Sequence, residues 1–394
     1  MEKLFRKAQK YTLPQEIKKM GLYPYFIPAD GIIGPITQIQ GKPTIMFGSN
    51  NYMGLTNRPE MIKAGCQALK DHGTGCTGSR FLNGTLDLHL ELEEKLAKFM
   101  GKEAAVTFST GYQTNLGVIS GLATKGDYII SDSLNHASIV DGCRLSYAET
   151  KVYKHNNMED LERVLQSIPA NKGKLIVSDG VFSMEGSLAP IPELVELSEQ
   201  YSARLMIDDA HGVGYLGDHG EGVGGHFGLM DRIDLVVGTF SKSFASIGGF
   251  CVSTEDVANY IQHHARSFIF SASLLPPAVA AIIKAIELIE KSEDLRKKVM
   301  SNARLFESGL RKLGFETGGS ETPVVPVYVR DELKVFKVWK ELLAEGLYSN
   351  PVRAPGVAEG DELLRNSLMA THTEEQIQDA LDIYEKIGRK FDMI

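Results

Sequence analysis

Short apolar runs alternate with amphipathic segments along the middle of the chain. Seven runs are candidate strands, at residues 104–108, 128–130, 150–153, 174–179, 204–208, 235–239 and 249–253. Between them, segments such as 157–168 and 192–201 place apolar residues three and four positions apart, which is the spacing of one helix face. Strands that alternate with helices predict a mainly parallel sheet with helices on both faces. We therefore expect an α/β fold around a seven-stranded sheet.

The two ends of the chain have a different pattern. After about residue 285, long helical patterns are followed by short apolar runs and a final helix over 374–391, which predicts a smaller α+β domain. The first residues predict a helix and then a β-hairpin over 36–47. The expected organisation is an N-terminal arm (1–47), a large domain (48–285) and a small C-terminal domain (286–394).

Composition narrows the class of protein. The 394 residues carry a formal net charge of −8, which argues against nucleic acid as the main partner. The most apolar stretch, 276–291, is interrupted by Lys284 and Glu287, so no transmembrane segment is predicted. The cysteines show no metal-ligand or disulfide spacing, and the N-terminus lacks the apolar core of a signal peptide. We expect a cytoplasmic protein.

Two glycine-rich segments match the dinucleotide-binding pattern GxGxxG, at 73–78 and 212–217. That motif works only when a strand precedes it and a helix N-terminus follows it. The first segment follows a helical pattern, and the second runs into further glycines. Neither context favours a nicotinamide-dependent dehydrogenase.

Four of the predicted strands end in small and polar residues. The segments are FSTGYQTN (108–115), DGVFSMEG (179–186), IDDAHGVG (207–214) and GTFSKS (238–243). In an open α/β sheet, ligands bind beyond the carboxyl ends of the strands. These segments could therefore converge on one pocket.

Each segment has an ordinary interpretation beside the chemical one. STGYQTN suits a phosphate at a helix N-terminus, or simply a capped helix. Asp208 and Asp209 at a strand end need a proton donor or a cation, and a catalytic pair or a metal site remains open, although no metal-ligand spacing is present.

Lys242, in GTFSKS, is the remaining chemical candidate among these strand ends. Alone it would be a solvated loop lysine. Beside the other strand ends it could be partly desolvated, which would lower the pKa of its amine and make it a nucleophile. A phosphate-binding helix start, a carboxylate and such a lysine are the parts that a pyridoxal-phosphate site needs.

Several ordered motifs resemble those of one enzyme family. GSNNYMGL, GSRFLNGT, FSTGYQTN, NHASI, DGVFSMEG, DDAHG, GTFSKSFASIGG and LLRNSLMATHT are similar to the motifs of the α-oxoamine synthases. These are pyridoxal-phosphate enzymes of the fold type I, aspartate aminotransferase-like class. The match runs nearly end to end, and within the family it is most similar to the soluble bacterial serine palmitoyltransferases.

The resemblance implies a role for each matching residue. Lys242 would hold pyridoxal phosphate covalently and move protons at the substrate α-carbon. His136 would stack on the pyridine ring, Asp208 would pair with its nitrogen, and His211 would hydrogen-bond its phenolic oxygen. Further cofactor contacts would come from Gly111, Tyr112, Ser183 and Thr239, and from Ser271 and Ser273 of a second subunit. The substrate would be bound by Asn50, Ser79 and Arg365. No metal is expected.

The implied reaction is a decarboxylating condensation of L-serine with a long-chain acyl thioester such as palmitoyl-CoA. It yields 3-ketodihydrosphingosine, coenzyme A and carbon dioxide, in a homodimer with shared sites. Cysteate, alanine or glycine as the amino acid and an acyl carrier protein as the donor remain alternatives. A catalytically silent member is disfavoured because Lys242 is present. Contact with a membrane surface for product release is a further expectation.

Two residues leave the identity of the substrates undecided. Arg353, in the loop before the Arg365 strand, is a second cation that could bind a sulfonate or phosphate on the amino acid, although the sequence favours a solvated loop arginine. His72, which precedes GTGCTGSR, leaves the entrance for the acyl chain uncertain.

Overall fold

A computed structural model describes residues 2–394; Met1, the first residue of the predicted arm, lies outside the described residues. The N-terminal segment forms two helices, a short strand and the predicted hairpin. Its elements are α1 (Glu2–Gln9), α2 (Leu13–Lys19), β1 (Ala29–Asp30), β2 (Ile36–Ile39) and β3 (Lys42–Met46).

The central part of the chain forms the seven-stranded sheet. Its strands are β4 (Ala104–Phe108), β5 (Tyr128–Asp132), β6 (Glu149–Tyr153), β7 (Lys174–Asp179), β8 (Arg204–Asp208), β9 (Leu235–Thr239) and β10 (Gly249–Ser253). The spatial order is β4-β10-β9-β8-β7-β5-β6. Strand β10 is antiparallel to both of its neighbours, and the other pairs are parallel. The predicted mainly parallel sheet is confirmed.

Helices surround this sheet. They are α3 (Pro59–His72), α4 (Asp87–Phe99), α5 (Gly111–Leu122), α6 (Ala137–Leu145), α7 (Met158–Gln166), α8 (Ile191–Gln200), α9 (Val223–His226), a 3-10 turn (Met230–Arg232), α10 (Glu255–His264), α11 (Arg266–Ile269) and α12 (Pro276–Lys291). Successive strand residues enter different cores: Ile176 lies in one apolar cluster, and Val177 lies in another. Because neighbouring strand residues point to opposite faces, the sheet is covered on both sides.

The C-terminal part packs together with the N-terminal segment. Its elements are α13 (Glu293–Leu313), β11 (Val324–Tyr328), α14 (Glu332–Ala344), β12 (Leu347–Tyr348), β13 (Asn350–Val352), β14 (Leu363–Ser367) and α15 (Glu374–Lys390). Strand β12 pairs in parallel with β3, and Phe47 shares a core with Phe306 and Trp339. The proposed boundary at 285 falls inside α12. The division into three parts stays a prediction.

The parallel strands bring the predicted site segments to one edge. Strands β7, β8 and β9 end at Asp179, Asp208 and Thr239. Strand β5 continues two residues beyond its predicted end, through the buried Ser131 and Asp132. Within residues 2–394, none of the helices combines the length and the apolarity that crossing a bilayer requires.

Candidate active site

A cavity of about 320 Å³ opens at the carboxyl ends of the strands. Its volume lies within the range of small-molecule sites. Eight residues predicted from the sequence line this cavity: Gly111, Tyr112, His136, Ser183, Asp208, His211, Thr239 and Lys242. Asn115, Ser138 and Asp179 line it as well. The four strand-end segments therefore meet at one pocket, as the sequence predicted.

Lys242 enters the cavity from the loop that follows β9. Burial lowers the pKa of its amine to about 8, while the carboxylates of Asp208 and Asp179 oppose this shift. Within the described chain, its amine makes no hydrogen bond or ion pair with another side chain. A lysine with a lowered pKa and a free amine is suited to nucleophilic attack on a carbonyl.

Asp208 ends β8 and lies against helix α5. One carboxylate oxygen accepts a hydrogen bond from Nδ2 of Asn115 at 2.6 Å, and the other accepts from the backbone N–H of Ala210 at 3.0 Å. The side chain is buried. Two donors hold the carboxylate in one orientation at the cavity wall, where a positively charged ring nitrogen would be a suitable partner.

Asp179 is a second buried carboxylate at the same strand edge. It accepts a hydrogen bond from the backbone N–H of His136 at 2.8 Å. Burial raises the pKa of Asp179 well above its usual range, and the nearby Asp208 raises it further. This carboxyl therefore holds the first turn of α6 and is suited to carrying a proton.

His136 precedes α6 and caps it. Its Nδ1 lies 2.7 Å from the hydroxyl of Ser138, and its ring centre lies 6.4 Å from that of Tyr112. Tyr112 is 41% exposed, and its hydroxyl donates a hydrogen bond to Asp141. The two rings line the open side of the cavity, where a planar ligand could stack.

The start of α5 faces Thr239. The hydroxyl of Thr110 accepts a hydrogen bond from the N–H of Gln113 at 3.1 Å. The N–H groups of Gly111 and Tyr112 have no acceptor inside the helix, because they belong to its first turn. A Cβ atom at Gly111 would lie 3.0 Å from Cβ and Oγ1 of Thr239, so the glycine is required by the close approach of α5 and β9. Free amides next to hydroxyls are suited to binding phosphate.

Arg365, on β14, lies beside residues from two other parts of the chain and beside Ser367 of its own strand. Its guanidinium donates to Oδ1 of Asn50 at 2.9 Å, to Oγ of Ser367 at 2.8 Å and to the backbone carbonyl of Ser183. It also lies 3.4 Å from the hydroxyl of Tyr52, which in turn is 2.7 Å from Nδ1 of His211. The predicted pair Asn50 and Arg365 is thus brought together next to the cavity.

Some predicted residues lie apart from this cavity. Ser271 accepts a hydrogen bond from Gln113 at 3.1 Å, and Ser273 donates to the carbonyl of Gly78 at 3.1 Å. The hydroxyl of Ser79 is buried without a hydrogen-bond partner within residues 2–394. Arg353 forms an ion pair with Glu332. None of the four lines the cavity of its own chain.

Three residues of the site were not predicted from the sequence. Asn115 lies one helical turn after Gly111, so the helix period could have placed it on the same face. Tyr52 stands in GSNNYMGL, and Asp179 begins DGVFSMEG. Their contacts with His211 and His136 join distant parts of the chain, and no local pattern indicates such pairs.

The donor set fits pyridoxal phosphate. The Gly111–Thr239 approach leaves the amides of α5 facing a phosphate position, Asp208 supplies a fixed carboxylate, and Lys242 supplies an amine with a lowered pKa. These are the three groups that such a cofactor requires from a protein.

Comparison with known proteins agrees with this geometry. The sequence pattern of the family "Aminotransferase class I and II" matches residues 42–383. The chain is 46% identical over 389 residues to the serine palmitoyltransferase of Sphingobacterium spiritivorum, covering 99% of this chain and 97% of the relative. It is 48% identical over 391 residues to that of Bacteroides thetaiotaomicron, covering 99% of each.

The chain is also similar to a related synthase and to a solved structure. The 8-amino-7-oxononanoate synthase of Thermoanaerobacter pseudethanolicus is 43% identical over 381 residues, which are 96% of each chain. A solved structure of serine palmitoyltransferase from S. paucimobilis with bound PLP and myriocin superposes with a TM-score of 0.97 at 40% identity, covering 99% of this chain and 100% of that one. The predicted fold type I, aspartate aminotransferase-like architecture is confirmed.

Proposed function

Because the chain belongs to the family of class I and II aminotransferases, we propose that it is a serine palmitoyltransferase of the α-oxoamine synthase group. It condenses L-serine with a long-chain acyl thioester, palmitoyl-CoA, and releases coenzyme A, carbon dioxide and 3-ketodihydrosphingosine. The observation that carries the proposal is the convergence of Lys242 and Asp208 on one cavity, with Arg365 hydrogen-bonded to Ser183 of its wall, in a chain that matches such enzymes nearly end to end.

Pyridoxal phosphate, when bound, takes up the electrons left on the α-carbon when a proton or carbon dioxide departs. Asp208 keeps a positive charge on the ring nitrogen, because its carboxylate is fixed by Asn115 and Ala210. His136 would cover one face of the ring, and His211 would donate to the phenolic oxygen. Gly111, Tyr112 and Thr239 would hold the phosphate, and Ser183 would lie near the phenolic oxygen; all six line the cavity.

Lys242 binds the cofactor and then moves the proton at the α-carbon. Its lowered pKa, about 8, allows the free amine to accept that proton near neutral pH, and the carboxylates around it stabilise the charge that results. Once the acyl group has been added and carbon dioxide has left, the same ammonium can return the proton to the α-carbon. Both steps need the amine within reach of the α-carbon, on the cavity wall that Lys242 occupies.

Arg365 and Asn50 bind the amino-acid carboxylate. The guanidinium is already oriented by Ser367, Ser183 and Asn50, so little side-chain freedom is lost when a substrate binds. A fixed carboxylate determines which bond of the α-carbon stands perpendicular to the cofactor ring. We place Ser79 among the substrate contacts, because its buried hydroxyl has no partner within residues 2–394.

Serine is favoured over cysteate by the surroundings of Arg353. Its guanidinium pairs with Glu332, and the carboxylate of Glu332 neutralises the positive charge that would otherwise attract a sulfonate or phosphate. We therefore assign Arg353 to the loop surface. Alanine and glycine remain the alternative donors, since an oxononanoate synthase is also similar along 96% of the chain.

We propose that the enzyme is a cytoplasmic homodimer. Four apolar side chains are exposed on two adjoining segments, Phe81 (47%), Leu82 (79%), Phe270 (74%) and Leu275 (49%). An apolar surface of this kind marks an interface. Ser271 and Ser273 lie on the same segment as Phe270 and Leu275, so a second copy could present them to the phosphate. The four free cysteines suit a reducing compartment, and product release would involve contact with a membrane surface.

The test is a product assay across several amino acids and acyl donors. Serine with palmitoyl-CoA should give 3-ketodihydrosphingosine, and the protein should be yellow until borohydride fixes the cofactor on Lys242. Lys242→Ala should bind pyridoxal phosphate without this covalent link and should lose condensation by at least about a thousandfold. Turnover with alanine or glycine but none with serine would refute the substrate assignment. A colourless Lys242→Ala variant with full activity would refute the mechanism.

A further inference from the structure

Tyr52 is a buried residue whose contacts the reaction described above does not use. Its hydroxyl lies 2.7 Å from Nδ1 of His211, 3.4 Å from a guanidinium nitrogen of Arg365 and 3.4 Å from Oδ1 of Asn50. The side chain is 0% exposed. It therefore stands between the group that binds the substrate carboxylate and the histidine beside the cofactor position.

The three distances indicate which atom accepts the proton of the Tyr52 hydroxyl. Arginine has no acceptor, so the Tyr52 oxygen accepts from Arg365. The single phenolic proton then has two possible acceptors, Nδ1 of His211 at 2.7 Å and Oδ1 of Asn50 at 3.4 Å. The shorter contact has the length of a normal hydrogen bond, and the longer one is weak. Oδ1 of Asn50 also accepts from Arg365 at 2.9 Å, so it does not depend on Tyr52.

The surroundings of His211 keep its ring neutral. Burial lowers the pKa of His211 well below its usual value, and the positive charges of Lys242 and Arg365 lower it further. A neutral imidazole has one N–H and one acceptor nitrogen. When Nδ1 accepts from Tyr52, the N–H is on Nε2, and His211 lines the cavity.

We infer that Tyr52 is a positioning residue that fixes His211 as an Nε2–H donor toward the cavity and ties its ring to Arg365. The roles of His211 and Arg365 in this inference rest on the proposed function. Without the hydroxyl, the imidazole is free to exchange between its two neutral tautomers. In one of them, the nitrogen that faces the cofactor has no proton to donate.

The unmodified protein gives the first test. Histidine nitrogens labelled with ¹⁵N are observed by NMR, with and without pyridoxal phosphate, and His211→Gln identifies the signals of His211. The expected result is a proton on Nε2 and an acceptor at Nδ1. A proton on Nδ1 would overturn the inference. This measurement decides the matter even if variants at position 52 fold poorly.

The second test compares the hydroxyls of two tyrosines whose rings pack against each other. Tyr215 is 3% exposed, its ring lies 5.5 Å from that of Tyr52, and in the described part of the chain its hydroxyl has no hydrogen-bond partner. Tyr52→Phe should shift His211 toward a mixture of tautomers and weaken binding of pyridoxal phosphate to the cofactor-free protein about two- to tenfold. Tyr215→Phe should change neither. A Tyr52→Phe variant that keeps both the tautomer of His211 and the affinity for pyridoxal phosphate would overturn the inference.

Neither measurement uses serine or an acyl thioester. A protein that condenses a different amino acid would therefore still show the expected tautomer and cofactor affinity. Conversely, the wrong tautomer in a chain that makes 3-ketodihydrosphingosine would refute the inference about Tyr52 and leave the proposed function standing.

Discussion

The chemistry at single residues depends on what surrounds each side chain. Lys242 follows a buried strand, and its amine has a pKa of about 8 because burial disfavours the charged form. Arg365 has different surroundings, since its guanidinium donates hydrogen bonds to Asn50, Ser367 and the backbone carbonyl of Ser183. One residue is thereby prepared to react, and the other to hold a carboxylate.

The pH dependence of cofactor attachment follows from Lys242. A lowered pKa means that the neutral amine predominates above pH 8 and falls about tenfold for each pH unit below it. The rate at which the cofactor-free protein binds pyridoxal phosphate covalently should therefore rise between pH 6.5 and 8 and level off above. Stopped-flow absorbance measures this rate, with Lys242→Ala as the control that shows no covalent phase. A rate that keeps rising to pH 10 would indicate an ordinary lysine.

Replacement of Arg365 by lysine should separate binding from chemistry. A lysine cannot reproduce the hydrogen bonds to Asn50, Ser367 and a carboxylate together. Loss of a charged hydrogen bond costs about 1.5–3 kcal/mol, so the KM for serine should rise about ten- to hundredfold, with a smaller change in kcat. Steady-state kinetics with Arg389→Lys, an exposed arginine on α15, provide the control. An unchanged KM would remove Arg365 from the substrate site.

At the level of elements, a buried ion pair joins the GSRFLNGT loop to helix α4 and strand β4. Arg80 contacts both carboxylate oxygens of Glu93 at 2.7 and 2.8 Å, with side-chain exposures of 7% and 9%. Glu93 also accepts from the backbone and hydroxyl of Thr107 at 2.9 Å each. The pair therefore holds Ser79, the residue before Arg80, against the sheet.

Removal of Glu93 should destabilise the fold. Glu93→Ala leaves the guanidinium buried without its counterion, so the free energy of unfolding should fall by about 3–5 kcal/mol. Urea unfolding followed by circular dichroism measures the change. The exposed pair of Arg389 and Glu385 is the control, and Glu385→Ala should cost less than about 0.5 kcal/mol. A loss below 1 kcal/mol for Glu93→Ala would contradict the importance of this pair.

At the level of the whole molecule, the proposed homodimer makes a prediction about the exposed apolar residues. Phe270 is 74% exposed next to Ser271, which we expect to reach the phosphate of a second subunit. If the chain is the proposed dimer, Phe270→Asp should make it monomeric and weaken pyridoxal phosphate binding at least tenfold, because the site would then lack its second subunit. Sedimentation velocity and cofactor titration measure the two effects. Tyr147→Asp, at a residue 87% exposed elsewhere, should leave both unchanged. A Phe270→Asp variant that remains dimeric would place the interface elsewhere.

Sequence periodicity by itself determined the elements and most of the cavity wall. Val236 and Val237 belong to a continuous apolar run. Neighbouring residues of a strand point to opposite faces of the sheet, so this run predicts a strand that is buried on both faces. The carboxyl ends of such strands meet at one edge, so Asp208, Thr239 and Lys242 could be placed together. Their roles came from resemblance to a family.

Tertiary structure alone decided which distant residues touch. Arg365 contacts Asn50 across 315 positions of sequence, Tyr52 contacts His211 across 159, and β3 pairs with β12. Local patterns encode which face of an element is buried, because burial depends on the period of neighbouring side chains. They carry no information about which element packs against that face, because that choice depends on how the whole chain closes its core.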